Sequence, residues 1–297
     1  SWSVTRDGYL ALSCPAPAAV NEQVLVANTS LNLSGISFRN IDEEVYGLLA
    51  VPQHPRGAIV LAPGAGVTKE AERQRIETYA MAGCAALVLD LRGNGGETRG
   101  RPFDPQLEFM AFNLGTWPQT YETACDLSAA RGVLARTAKV PVYAMGASNG
   151  GRSAAIAAAA DPGFAGYIGV STSGYGLEGN RYTGNASRFL LSIDPDHAIG
   201  RISPRPVWIF HSSFSNSLCK AKKLCEGFFR VNASACNLNF AFLSAFSRLI
   251  DAISLRSFLS SLTLRFASSL LCLSSSISLR RLLTLSFSSF RFSASSS

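Results

Sequence analysis

The 297-residue chain predicts an α/β fold with a doubly wound, mostly parallel sheet, and three observations carry that expectation. Between residues 34 and 212, strand-length apolar runs alternate with helix-length segments, the order that lets helices cover both faces of a sheet. The later runs are apolar throughout instead of alternating, as strands buried on both faces are. Two glycine-rich stretches, Pro63-Gly64-Ala65-Gly66 and Gly146-Ala147-Ser148-Asn149-Gly150-Gly151, each stand between an apolar run and a helical segment.

In order, the strand candidates are ISFRN, VYGLLAV, AIVLA, AALVLD, VPVYAM, GYIGV and PVWIFH. Three helical segments lie between them. TKEAERQRIETYAMAG has Thr68 as its cap, acidic residues in its first turn and Gly83 as its stop. WPQTYETACDLSAARGVLAR repeats apolar residues at helical spacing, and the alanine-rich GGRSAAIAAAADP stops at Pro162. Residues 1–33 read as an N-terminal extension. GYLALSC followed by PAPAAVNEQ resembles a short apolar segment, a cysteine and a linker, as in a trimmed lipoprotein signal. The segment is short and lacks a basic lead-in, so an irregular start is preferred, and a cytoplasmic and an extracytoplasmic location both stay open.

Beyond residue 212 the composition changes. All 13 prolines and every Tyr, Trp, Met and His lie before that point, as do 24 of the 25 glycines, whereas 23 serines crowd the last 85 residues. A compact α/β domain needs glycine and proline at its connections, yet Leu and Phe are too abundant here for a disordered linker. Ser, Leu and Arg are the residues with the most codons, and their joint excess suggests a reading frame lost near residue 212. The competing reading is a basic amphipathic tail lying on a membrane; helical spacing at Phe242, Phe246, Leu249 and Ile253 decays into alternation, which disfavours membrane contact. The segment 213–297 is therefore expected not to be native to the fold, leaving its C-terminal part incomplete.

The charge follows the same division. Of 27 Lys and Arg, ten lie beyond residue 212, against two of the 20 Asp and Glu, so residues 1–212 hold 17 basic and 18 acidic side chains. That balance carries no nucleic-acid footprint, and no run of eighteen apolar residues suggests a membrane span. The seven cysteines form no CxxC pair, so neither a zinc site nor a disulfide framework is signalled. Cys84 and Cys125 lie in apolar patterns and read as small buried hydrophobes.

The segment from Gly146 to Gly150 fits G-x-S-x-G between a strand and a helix. A serine on so sharp a turn stands exposed above the sheet edge, and small residues two before and two after it let strand and helix approach. Ser148 is thus the candidate nucleophile, with Gly146, Gly150 and Gly151 as the elbow glycines. The alternative is a plain strand–helix turn with a solvated serine. A preorganised pair of N–H groups would be needed for a developing oxyanion; Asn149, next after the serine, and Ala65 in the upstream glycine-rich loop are the candidates, with Gly66 as the neighbour of Ala65. A phosphate loop does not fit, because Gly64 and Gly66 lack the third glycine of G-x-G-x-x-G and Lys69 is outside a Walker pattern. No cofactor or metal is called for.

On LAPGAGVTKE, ALVLDLRGNGGE and GASNGG, the sequence resembles the α/β-hydrolase family, in its serine esterase, thioesterase and dienelactone-hydrolase-like branch, over residues 34–212. The resemblance implies acyl transfer from a small ester or thioester to a serine, and a triad in the order serine, acid, histidine. It also implies that Asp90, Arg92 and Gly93 shape a loop beside the site, and that residues 97–120 and 173–203 form the pocket rim. The departure lies after PVWIFH, where the family places its acid. The chain reads HSSFSNSLCKAKK there, and no histidine follows His211. His211 reads as a loop-packing residue, His197 as a solvated helix residue and Glu178 as a remote alternative acid. Ser148 has no visible base, so hydrolysis is expected to be impaired. An acyltransferase on the same turn and a non-catalytic binding protein are the alternatives.

Overall fold

The computed structural model describes residues 1–210. A hairpin of β1 (Trp2–Val4) and β2 (Leu10–Leu12) precedes the main sheet. That sheet begins with three antiparallel strands, β3 (Asn21–Ala27), β4 (Leu31–Asn40) and β5 (Glu43–Pro52). Five mutually parallel strands follow: β6 (Gly57–Ala62), β7 (Cys84–Leu89), β8 (Val142–Ala147), β9 (Tyr167–Val170) and β10 (Val207–Phe210). The order across the sheet is β10-β9-β8-β6-β7-β5-β4-β3.

The chain goes from β6 to β7 on one side and then returns past β6 to β8, so the winding direction reverses between β6 and β8. Right-handed crossovers then place α1 (Arg73–Met81) on one face and α3 (Gln119–Ala138) with α4 (Asn149–Ala160) on the other. The helices α2 (Pro105–Leu114), α5 (Gly184–Ser192) and α6 (Pro195–Ile202) complete the described residues. Helices therefore cover both faces of a mostly parallel sheet, as the sequence predicts. Every residue of β6 and β7 is buried, as the unbroken apolar runs require. Each large side chain so buried, such as Leu61 or Leu87, contributes roughly 1.5–3 kcal/mol over leaving it in water.

Three expectations change. The helix expected to open at Thr68 opens at Arg73 instead, because residues 69–72 form turns in which the amides of Glu72 and Arg73 donate to the carbonyls of Lys69 and Glu70. Its stop at Gly83, with φ +84°, is as expected. The stretch before residue 34 is not outside the sheet, since β3 and the start of β4 come from it. Cys125, read as a small buried hydrophobe in a chain with no disulfide framework signalled, is buried but bonded to Cys14 across 111 residues with Cα atoms 5.5 Å apart. Cys84 is free and buried as expected. No spacing rule pairs cysteines so distant in the chain. The tail, with the expectations of frame loss and of unformed later strands, lies outside the described residues, as does His211.

Candidate active site at the β8–α4 turn

In an open α/β sheet, the crevice at a reversal of winding lies beyond the carboxyl ends of the strands. Ser148 stands at that place, directly after β8 and before α4, and it is exposed. Its backbone has φ +51° and ψ −120°, a conformation that costs a non-glycine residue on the order of 1–3 kcal/mol. The turn is held by two hydrogen bonds to its backbone: the Ser148 amide donates to the Val170 carbonyl at 3.0 Å, and the Thr172 hydroxyl donates to the Ser148 carbonyl at 2.8 Å.

The neighbouring glycines are required by contact. A Cβ on Gly146 would run into the backbone of Gly150 and Gly151. One on Gly150 would meet the carbonyl oxygens of Ala62 and Pro63, and one on Gly151 would lie 2.6 Å from Thr172 Cβ. Strand β6, strand β8 and helix α4 thus meet with backbone touching backbone.

The 63–66 loop follows β6 and lies against the elbow. A Cβ on Gly64 would sit 3.8 Å from Ser148 Cβ and 3.6 Å from the Ala147 carbonyl oxygen, which is ordinary contact. The loop is a turn closed by the Val67 amide on the Gly64 carbonyl at 3.1 Å, with Gly66 at φ +71°. Asn94 clamps it by donating to the carbonyls of Gly64 at 2.9 Å and Val67 at 3.3 Å. Among the described residues, the amides of Ala65 and Asn149 donate to no protein acceptor.

The loop after β7 is built from charge. Asp90 accepts the Lys69 amide and the Glu97 amide at 2.8 and 2.9 Å, and the Lys69 ammonium at 2.8 Å. Lys69 Nζ also pairs with Glu70 at 2.7 Å and with Glu97. Burial favours the neutral amine, but the hydrogen bonds with Asp90, Glu70 and Glu97 outweigh it and hold the Lys69 pKa above the ordinary lysine value. The carboxylates of Glu70, Asp90 and Glu97 converge, and the Lys69 ammonium is the cation they surround. Arg92 reaches Asp126 through Nε at 2.7 Å and Nη2 at 3.2 Å, and Asp42 and Glu122 through Nη1 at 2.8 and 3.1 Å. Gly93, at φ +79°, lies where a Cβ would run into the Arg101 carbonyl. Asp90, Arg92 and Gly93 therefore hold a loop that flanks the elbow loop, the role the resemblance implied.

The two described histidines are elsewhere. His54 is exposed on the β5–β6 connection. His197, expected to be solvated, is half-buried and stacked on Tyr9 with ring centroids 4.0 Å apart. Burial lowers its pKa below the ordinary histidine value. The N-terminal hairpin covers the face of α6 that a local reading leaves in water. Glu178 is paired with Arg181 at 3.2 Å. Among the described residues, no titratable side chain bonds to the Ser148 hydroxyl.

Helix α2 went unread in the sequence, and α6 was read as helical only at His197. Both begin with an Asp-Pro pair, Asp104-Pro105 and Asp194-Pro195, in which the aspartate caps and proline takes the first helical position. That signal was available. Two further residues near the turn, Thr172 and Arg152, carry no local signal at all.

No protein-family model matches the chain. A protein of Mycobacterium tuberculosis (strain H37Rv), described as "Putative phosphoribosyl transferase", is 36% identical over 121 residues, which is 40% of this chain and 24% of that protein. The chain thus spans about a quarter of the length of the curated relatives it matches. Among solved structures, acetyl xylan esterase 1 from Thermoanaerobacterium sp. JW/SL YS485 superposes with a TM-score of 0.53 at 11% identity, over 71% of this chain and 87% of that one. An acetyl xylan esterase from Paenibacillus sp. R4 gives 0.53 at 15% identity, over 73% and 90%. The chain has the α/β-hydrolase fold.

Proposed function

We propose that the chain is a serine hydrolase of esters or thioesters that acts through an acyl-enzyme on Ser148. The observation that supports this best is the exposed, left-handed backbone of Ser148 at the reversal of the sheet's winding, with the 64–66 loop against it. A serine that only ended a strand would have no reason to bear that conformation.

In this reading Ser148 Oγ attacks the carbonyl carbon while the amides of Ala65 and Asn149 receive the developing oxyanion. The start of α4 adds its positive end. The tetrahedral species collapses with loss of the alcohol or thiol, which leaves with the proton given up by the serine. Water then attacks the acyl-serine, the acid is released, and the proton returns to Ser148. The substrate is a small acyl compound, and exposed apolar side chains on the segments after β7 and β9, among them Leu107, Met110 and Tyr182, suit an apolar part.

The same reading implies slow turnover. No histidine follows residue 211, and an unactivated hydroxyl is a weak nucleophile at neutral pH. That observation also favours a second reading, a binding protein that keeps the pocket without turnover. Treatment with a fluorophosphonate probe separates the two. Covalent labelling that Ser148→Ala abolishes supports the hydrolase, whereas no labelling of the folded protein supports the binder. The name of the mycobacterial relative belongs to a protein four times as long as the match and adds nothing to this site.

A further inference from the structure

One cation stands a single helical turn along the chain from Ser148. Arg152 follows Ser148 by four residues, so it sits one turn along α4 on the side of the elbow. A helical side chain leans toward the helix N-terminus and covers the preceding turn, which here is the Ser148–Asn149 turn. Across from it runs the loop after β9. Arg152 Nε donates to the Ser173 carbonyl at 2.9 Å, Nη1 reaches the Tyr175 hydroxyl at 3.4 Å, and the guanidinium lies 4.6 Å from the centre of the Tyr175 ring.

These contacts fix the plane of the guanidinium and occupy mainly its Nε side and one face. The Nη1–Nη2 edge has no carboxylate partner among the described residues. The acids nearest that loop serve its backbone. Asp194 accepts the amides of Tyr175 and Leu177 at 2.9 and 2.8 Å, and Asp196 accepts that of Gly176 at 2.8 Å. They make the loop rigid and so hold Tyr175 beneath Arg152.

We propose that Arg152 is a specificity-determining residue that selects substrates carrying a carboxylate, read by the Nη1–Nη2 edge of its guanidinium while the ester carbonyl faces Ser148. A planar guanidinium held on an aromatic ring is preorganised for end-on pairing with a carboxylate. With the anion site one helical turn from Ser148 along the chain, the class selected is the half-ester of a short dicarboxylic acid. The inference rests on the serine-hydrolase reading for the position of the ester, but not for the anion site itself.

The test is equilibrium binding by isothermal titration calorimetry to the full chain, with two ligands of equal length, glutaramate and neutral pentanamide. Glutaramate should bind at least about tenfold tighter, as a charge-assisted bidentate pair allows. Arg152→Met should remove that preference, and Arg152→Lys should keep part of it, because the charge remains although the bond to the Ser173 carbonyl is lost. Thermal melting of both variants checks that they fold. Equal binding of the two ligands to the natural chain overturns the proposal, and so does a preference that survives Arg152→Met. It is also overturned if Arg152→Lys loses the preference as completely as Arg152→Met, which would mark Arg152 as a brace for the loop. Ser148→Ala should leave the preference in place. A clear preference in a protein that fluorophosphonate does not label would sink the hydrolase reading and keep the anion site.

Discussion

Two loops meet at one edge of the sheet and are rigid for opposite reasons. The elbow around Ser148 is held by the absence of side chains: Gly146 and Gly150 let β6, β8 and α4 touch through their backbones, and Gly151 leaves room for the Thr172 side chain. The loop after β7 is held by an excess of charge, with Lys69 and Arg92 buried and paired with six carboxylates: Asp42, Glu70, Asp90, Glu97, Glu122 and Asp126. Contact between backbones is insensitive to pH and salt but cannot absorb a methyl group. An ion network tolerates small changes of shape, but it fails if one partner is removed, since the rest stay buried and unpaired. The strained Ser148 turn thus sits on the part of the edge that does not titrate, and the titrating part braces the neighbouring 63–66 loop through Asn94.

The comparison can be broken most severely on the charged side. Arg92→Met leaves Asp126 and Glu122 buried without their cation and should cost about 3–5 kcal/mol of stability, measured by urea denaturation. A cost below about 1 kcal/mol would mean that the network is solvated and does not brace the edge.

The elbow is tested by a substitution that normally helps. Gly→Ala inside a helix usually stabilises by about 1 kcal/mol. Gly150→Ala should instead destabilise by about 1–3 kcal/mol, because the new methyl meets the Ala62 and Pro63 carbonyls. Unchanged or increased stability in the same denaturation experiment would show that β6 and α4 are not in backbone contact.

The difference in titration is sharper at Glu122. Burial raises its pKa to about 7, and the neighbouring acids add to this, although Arg92 opposes it. Arg92 is shared with Asp126 and Asp42, so its attraction does not offset the lost hydration. A raised pKa in the folded state means that the folded protein binds the proton more tightly than the unfolded chain. This contribution is full below the ordinary glutamate value and is lost as pH rises through about 7. Carbon-detected NMR titration of Glu122 should show a midpoint near 7, and Glu122→Gln should flatten the stability profile between pH 4.5 and 7. A midpoint at or below 4.5 would reverse the assignment.

The smallest effect lies at Ser148 itself. Glycine accepts φ +51° without strain, so Ser148→Gly should stabilise the fold by roughly 1 kcal/mol while ending fluorophosphonate labelling. A loss of stability would show that the hydroxyl supports the structure.

The sequence alone determined the parts of this protein that follow from neighbours along the chain. Unbroken apolar runs such as AIVLA and AALVLD gave parallel strands buried on both faces, and G-x-S-x-G between a strand and a helix marked the turn at Ser148. Gly83 and Pro162 mark helix ends because their backbone restrictions act within one or two residues. Tertiary structure alone decided what depends on distant partners. The bond from Cys14 to Cys125 spans 111 residues and that from Asn40 to Asp126 spans 86, and no periodicity records either. The start of α1 moved from Thr68 to Arg73 because Asp90, across the sheet edge, takes both the amide and the ammonium of Lys69. His197 left the solvent because Tyr9, at the other end of the described chain, covers it. Arg152 gained its meaning from Tyr175, which the fold brings beneath it. Local propensity acts over a turn of helix or a pair of strand residues, whereas burial, ion pairing and ring stacking act between whichever groups the completed fold brings within a few ångströms.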